Sequence, residues 1–417
     1  MSKKLTRRDL LKASAAGLGA MSAGGLNPLV WTPQALGQGA AHGNHVLIIH
    51  LVGGYSASFG SAGSFMNSNF GGINGNNTID LGNNLVVHNS FAPLSDFAKA
   101  NMATVGMQHG SSNHVQARNL SHVVGNNVGA PLQLAASMGG PAANKFVSAG
   151  TGAMGMTGNI DGTAVQRVND MQSAIDALGG GAPDPTMPDR GLAGLGISES
   201  AKQSVTNIKG NPISLASLGN GYQAAVDTLT KPAKPFNPAE LMQDYQLNGT
   251  RVNSFASKIA LAEVMFRSDT NVVYVQDVNT WDNHGDPGMN RVFNKMRNSI
   301  IPPIATFTNR VFGQDGNGDL GTNRNVTVVL LGDFCRRPAN SNHGSGNAVT
   351  VFGHNGRSGT NGNVDAQGRL PNGTGNPAAF WAYIGRLAKS EAAADAIVQM
   401  GGNGTADGLT RNLALLK

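Results

Sequence analysis

Apolar residues in this 417-residue chain gather in short unbroken runs, with stretches of helical periodicity between them. His45–Val52 reads His-Val-Leu-Ile-Ile-His-Leu-Val and stops at Gly53-Gly54. A continuous apolar run of this length, closed by glycines, predicts a strand buried on both faces, as in parallel sheets. Asn101–Met107, Asn271–Gln276, Asn325–Leu331 and Ala348–Phe352 repeat the pattern. Pro238–Arg267 opens on proline and carries Leu241, Tyr245, Val252, Phe255, Ile259, Leu261, Val264 and Met265 at helical spacing. Pro287–Phe312 predicts a helix bent or broken at Pro302-Pro303. Gln166–Leu178 predicts a helix ended by the Gly179–Pro188 run, a further helix follows His114 to about Val124, and Pro377–Met400 predicts an amphipathic closing helix. Alternating strands and long helices predict an α/β fold, a three-layer sandwich around a mostly parallel central sheet. His45–Val52, Asn271–Gln276 and Asn325–Leu331 are its expected parallel neighbours. No internal repeat is visible.

The start of the chain departs from this pattern. Thr6-Arg7-Arg8-Asp9-Leu10-Leu11-Lys12 precedes a short run of small apolar residues, Ala13–Met21, and then Ala35-Leu36-Gly37. A basic segment, a short apolar segment and a small-residue end predict a twin-arginine signal peptide over residues 1–37, with a single α/β domain over 38–417. The other reading is the basic start of a cytosolic protein. Neither Ala13–Met21 nor any later stretch is long and apolar enough to span a bilayer. The mature chain is therefore expected in the periplasm or outside the cell, passed there folded by the twin-arginine translocation machinery.

This changes the meaning of the charge. Residues 1–37 set Lys3, Lys4, Arg7, Arg8 and Lys12 against Asp9, which is four of the net +6, so the remainder is about +2. The basic balance belongs mostly to the signal and gives no case for a nucleic-acid partner. Charged residues are scarce at 13%, and 57 glycines join asparagine-rich stretches at Asn67–Asn84 and Asn340–Asn376, a composition that favours turns and long loops. A single cysteine, Cys335, excludes an intramolecular disulfide.

Polar groups at the C-terminal ends of parallel strands are the ones placed to act. Four predicted strand ends carry polar clusters: Gly53-Gly54-Tyr55-Ser56; His109-Gly110-Ser111-Ser112-Asn113-His114; Asp277 with Trp281-Asp282-Asn283-His284; and Gly332-Asp333-Phe334-Cys335-Arg336-Arg337 with Asn342-His343-Gly344 and His354. Six of the ten histidines, at 109, 114, 122, 284, 343 and 354, lie in or just after these segments. Carboxylate and imidazole converging from several strand ends are what a divalent metal site requires. Other signals stay open between two readings. Asp315-Gly316-Asn317-Gly318-Asp319 starts like a calcium loop but has Leu320 and Val326 where glycine and glutamate are required, and otherwise reads as a polar turn. Cys335 reads as a metal ligand or nucleophile, or as a small buried residue. Arg336-Arg337 reads as an anion clamp or as structural pairing. His109 and His122 read as ligands or as capping and packing residues, and His50 as a satisfied core histidine.

The ordered set from His45 to Gly359 resembles a bacterial family, the domain-of-unknown-function family fifteen-oh-one, in the alkaline-phosphatase-like superfamily. The residues that carry the resemblance are the strand ending in Gly53-Gly54, the Ser-rich turn before the His114 helix, Trp281-Asp282-Asn283-His284, Gly332-Asp333-Phe334-Cys335-Arg336 and Asn342-His343-Gly344. The resemblance implies a phosphatase- or sulfatase-like site with Asp and His ligands around one or two divalent ions. Carried over, Asp282, His284 and His343 match metal ligands, Ser112 (or Ser111) stands at the position of the nucleophile, and Arg336 would stabilise the transferring group. His114 and Gln116 match the family only in part. Ser56 and Asn342 stand where the family has carboxylates, which implies at most one tightly bound ion, zinc or similar. The function implied is metal-dependent hydrolysis of a small anionic phosphate or sulfate ester. The alternative is a non-catalytic protein that binds an anionic or carbohydrate-like ligand.

Overall fold

The computed structural model describes residues 43–66, 73–125, 128–139, 144–150, 156, 158–176, 178, 236–279, 281–284, 286, 289–316, 318–320, 324–337 and 341–417. Residues 1–37, where a signal peptide is expected, and the Gly179–Pro188 run lie outside them. Nine strands form one sheet: β1 (Asn44–Leu51), β2 (Met102–Gln108), β3 (Phe146–Ala149), β4 (Asn159–Ile160), β5 (Thr163–Val168), β6 (Val272–Asp277), β7 (Asn325–Gly332), β8 (Gly346–Gly353) and β9 (Gly359–Thr360). Their order is β9-β2-β8-β7-β1-β6-β3-β5-β4. The expected core is present: β1 pairs parallel with β6, Val46 opposite Val272, and parallel with β7, Val46 opposite Thr327. Only β8 and β4 run against the rest. The sheet is thus mixed α/β and mostly parallel.

Helices cover both faces. Val46 and Ile48 of β1 pack with Trp381, Tyr383 and Ile384 of α5 (Pro377–Leu387), in one cluster with Leu132 and Leu134 of α2 (Ala130–Ser137). Side chains alternate along a strand, so Leu47, Ile49 and Leu51, equally buried, face the opposite side. There α3 (Phe255–Arg267) lies against β6 and β3 and is backed by α4 (Ile301–Val311). Helix α3 starts because Ser254 accepts from Ser257 N while the Ser257 hydroxyl accepts from Ser254 N, a capping box at 3.1 and 3.0 Å. Buried Glu263 ties the layer together, accepting from Arg267, Arg310 and Tyr245.

Several predicted elements are divided. Pro238–Arg267 becomes Pro238–Asp244 and α3, because Gln246 takes a left-handed backbone at φ 53°. Pro377–Met400 becomes α5 and α6 (Glu391–Met400), broken where Lys389 sits at φ 53°, and α7 (Thr405–Leu413) follows. Pro287–Phe312 breaks in a π-helical turn, Met296–Ile300, just before the prolines, whose missing N–H groups cannot serve the preceding carbonyls. Residues 166–168 belong to β5 rather than to a helix, and the α-helix that follows spans Gln172–Ile175.

Candidate metal centre

Because β1, β2, β6 and β7 point the same way, their four polar ends emerge at one edge of the sheet. One donor atom from each of His114, Asp282, His284 and His343 lies within 4.8 Å of all the others. Three of these, Asp282, His284 and His343, are the predicted ligands. His114 is the fourth; the sequence marked it as one of six clustered histidines and as a partial match to the resembling family, but not as a ligand. His343 Nε2 is 2.9 Å from His284 Nε2, His284 Nε2 is 3.2 Å from Asp282 Oδ1, and His114 Nε2 is 3.5 Å from the same oxygen. Donors bound at about 2.0–2.1 Å around a tetrahedral ion sit about 3.3 Å apart.

The outer partners of the rings decide what faces the centre. His343 Nδ1 donates to Ser112 O at 2.7 Å, and His114 Nδ1 donates to Asp333 Oδ2 at 2.7 Å. A carbonyl and a carboxylate only accept, so in the neutral rings both Nε2 atoms present bare lone pairs inward. Two lone pairs and a carboxylate oxygen crowded together, with His284 Nε2 beside them, form an acceptor-rich set that fits a divalent cation. Burial and the Arg336 guanidinium hold His343 below the usual imidazole pKa, favouring the neutral, ligating form. Phe334 stacks on His343 with ring centroids 4.2 Å apart, and lies 4.8 Å from His114.

Asp333 is the buried support of this arrangement. Its Oδ1 accepts from His50 Nε2 at 3.0 Å; its Oδ2 accepts from His114 and from Gly53 N at 3.1 Å and pairs with Arg118 Nε at 2.9 Å. His50 Nδ1 accepts from Tyr274 OH at 2.6 Å, so this histidine is satisfied in the core as expected. These partners, with His50 foremost, hold the Asp333 carboxyl at a pKa of about 2 despite its burial. Asp277 anchors the neighbouring loop: Oδ2 accepts from buried Trp281 Nε1 at 2.6 Å, and Lys295 pairs with it at 3.2 Å.

The two glycines after β1 are required by close approach. Gly53 has φ +117°, and a Cβ there would come 2.6 Å from Asp282 N; a Cβ on Gly54, at φ +118°, would come 2.9 Å from Arg336 Nε. Gly53→Ala is therefore expected to displace the Trp281-Asp282 loop and to cost more than about 1 kcal/mol in urea denaturation. Its metal affinity should fall as well, measured by calorimetric titration.

The remaining predicted residues have definite places. Arg336 is 1% exposed, and its guanidinium is engaged: Nε donates to Gly53 O, Nη1 to Ser341 O and Nη2 to Asp282 Oδ1 at 2.7, 2.6 and 2.6 Å. It is a partner of Asp282 rather than an open anion clamp. Arg336 and its neighbours hold the Asp282 carboxyl below its usual pKa. Ser112 is exposed, next to the centre through its carbonyl; Asn113, not a serine, caps the N-terminus of helix α1 (His114–His122). Ser111 is buried and donates to Gln116 Oε1. Ser56 is buried, its hydroxyl paired with Ser58 Oγ and Met289 Sδ, and Asn342 is exposed. Cys335 is buried, its Sγ accepting from Ala348 N, and burial pushes the thiol up to about 12, so it is no nucleophile. His122 packs beside His50 and Trp381, and His354 bonds Gly316 O. In the Asp315–Asp319 segment, Asp319 pairs with Arg267 and Arg310.

No protein-family model matches the sequence, and no curated protein matches it. Solved structures that share a distant likeness include two named as sulfatases. One is a 2-O GAG sulfatase, at 10% identity and TM-score 0.30, over 83% of this chain and 71% of that one. The other, from Bacteroides thetaiotaomicron VPI-5482, is named for a proposed sulfatase activity, at 12% identity and TM-score 0.30, over 84% of this chain and 71% of that one. A TM-score of 0.30 is too low to carry a functional inference.

Proposed function

We propose that the chain is an exported metal-dependent hydrolase of phosphate or sulfate esters. The observation that supports it is the convergence of His114, Asp282, His284 and His343 from three separate strand ends, with two of the rings oriented by outer acceptors. These four residues would hold one divalent ion. Such an ion supplies Lewis-acid polarisation of an ester oxygen. Ser112, exposed beside the cluster, is the candidate nucleophile. Arg336 holds Asp282 in place and keeps positive charge at the edge of the site. Export through the twin-arginine route is part of this reading; among the described residues no helix is long and apolar enough to cross a membrane.

A second reading, a non-catalytic binding protein, is favoured by two observations. Ser56 and Asn342 are neutral where the resembling family has carboxylates, and the Asp282 charge is already met by Arg336 at 2.6 Å. One dication without those acids cannot stabilise attacking and leaving oxygens together. Metal analysis of protein purified from the periplasm, combined with turnover of aryl phosphates and aryl sulfates, tests both. The expected result is about one bound ion and slow turnover that Ser112→Ala abolishes. A bound ion with no turnover favours the binding protein, and absence of any ion after purification without chelators refutes the metal centre.

A further inference from the structure

Behind the metal centre lies a cavity that the proposed hydrolysis does not use. Cys335–Arg337 and Asn342–Gly344 run as a short antiparallel ribbon. Arg336 is bridged to His343, Arg337 N donates to Asn342 O at 3.0 Å, and Gly344 N to Cys335 O at 2.8 Å. Side chains alternate along extended chain, so Arg336 and His343 share one face and Arg337 leaves from the other. On that other side is a cavity of about 390 Å³, lined by Gln108, Arg337, Ser345, Arg369, Asn372 and Thr374 among others, and by none of the four metal-centre donors. Its size suits a small molecule.

The electrostatics of this cavity are unbalanced. Arg369 is neutralised by Asp365 at 2.7 Å. Arg337 has no carboxylate partner among the described residues, and its Nε is buried with no acceptor among them. A buried cationic donor without an acceptor is destabilising unless a ligand completes it. The walls that aim it are fixed. Gly368, at φ +72°, packs on the stem of Arg337, where a Cβ would come 2.8 Å from its Cγ. Across the cavity, Arg411 Nη1 donates to Asn372 O and Gly373 O at 3.3 and 2.9 Å and ties down the opposite loop. Gln108 Nε2 donates to Ser345 Oγ at 3.0 Å, which orders a neutral polar wall beside the guanidinium.

We propose that this cavity binds a small polyhydroxyl compound carrying one oxyanion, with the oxyanion on Arg337 and the hydroxyls on Gln108, Ser345, Asn372 and Thr374. Guanidinium nitrogens recognise carboxylate, phosphate and sulfate oxygens alike, so sugar phosphates, sugar sulfates and uronates share the required chemistry. The site stands independently of the metal centre, on the opposite face of the ribbon.

Calorimetric titration of the purified full chain, freed of metal by chelation, tests it. The probes are inorganic phosphate, inorganic sulfate, glucuronate, glucose 6-phosphate and glucose. The acidic sugars are expected to bind saturably and more tightly than the inorganic anions, and glucose not to bind. Arg337→Gln should weaken the acidic sugars at least tenfold, equivalent to about 1.4 kcal/mol, and Arg337→Lys should recover part of the loss. Asn372→Leu, acting from the opposite wall, should weaken the acidic sugars while sparing the inorganic anions. His284→Ala should leave all of these affinities unchanged. No binding by the parent chain, equal binding by Arg337→Gln, equal binding of glucose, or loss of binding in His284→Ala would each overturn the proposal.

Discussion

Replacing Asp333 by alanine is expected to destabilise the protein by about 3–5 kcal/mol and to weaken metal uptake about 10–100-fold. The first effect follows from what the carboxylate satisfies. It is fully buried, and His50, His114, Arg118 and Gly53 N all direct donors at it. Removing it leaves a partly buried arginine charge and two imidazole N–H groups with nothing to accept them. The second effect passes through His114, whose Nδ1 proton Asp333 holds. Asp333→Asn separates the two effects, since it keeps the volume and part of the hydrogen bonding. A carboxamide that turns its NH₂ toward His114 Nδ1 drives the ring proton to Nε2, and a protonated Nε2 cannot ligate. The asparagine variant should therefore unfold at only moderately lower urea and yet bind metal much more weakly by calorimetry. Metal affinity equal to the parent's in that variant would remove His114 from the ligand set.

Asp333 also makes the stability of the chelated protein sensitive to acid. Its folded pKa is lowered to about 2 from 3.8. A lowered carboxylate pKa contributes stability that is fully present above the unfolded value and is lost as pH falls through the folded one. On the order of 2 kcal/mol should therefore disappear between about pH 4 and pH 2, and the asparagine variant should lack this component of the acid transition. Urea midpoints collected across that window, with chelator throughout, measure it.

The strands were legible because doubly buried strands leave unbroken apolar runs, and β1, β6 and β7 lie side by side and parallel as expected. The direction of β8 was not legible. A strand buried on both faces has the same composition whichever way it runs, and only the connection to β7 sets its antiparallel sense. Helix breaks were missed for a related reason. Val252 keeps the apolar period across the gap between Pro238–Asp244 and α3, so the periodicity conceals the turn at Gln246. At the site, Asp282, His284 and His343 were legible because each sits in a short motif at a strand end. His114, a partial match to the family, was not placed among the ligands, since its ligating role depends on Asp333, 219 positions away, fixing its tautomer. Asp333 itself was given no role of its own within its strand-end motif, whereas the fold makes it the inner partner of two histidines. Arg336 stayed open between an anion clamp and structural pairing, because sequence does not show that Gly53, Ser341 and Asp282 take up its donors.

His284→Ala is expected to reduce metal affinity by more than about 100-fold while changing stability by no more than about 0.5 kcal/mol. The contrast with Asp333 comes from exposure and partners. The His284 side chain is 52% exposed, and its contacts are the cluster itself: His343 Nε2 at 2.9 Å and Asp282 Oδ1 at 3.2 Å. Little folding energy depends on a half-exposed ring of this kind, but it supplies one of four donors to the centre. Its loss leaves His114, Asp282 and His343, and Asp282 shares its oxygen with the Arg336 guanidinium. Two imidazoles and a carboxylate already paired with a cation make a weak site, because the metal must compete with Arg336 for the only anionic ligand. The same reasoning separates His284 from Ser112. Ser112→Ala removes a hydroxyl but keeps the carbonyl that orients His343, so metal content should stay at the parent level while any turnover disappears. Both variants should unfold at nearly the parent urea midpoint. Unchanged metal content in His284→Ala would show that the four residues meet without forming a metal centre, and the hydrolase reading would fall with it. Metal lost from His284→Ala but kept in Ser112→Ala, with turnover lost in both, is the pattern that a single-ion hydrolase requires.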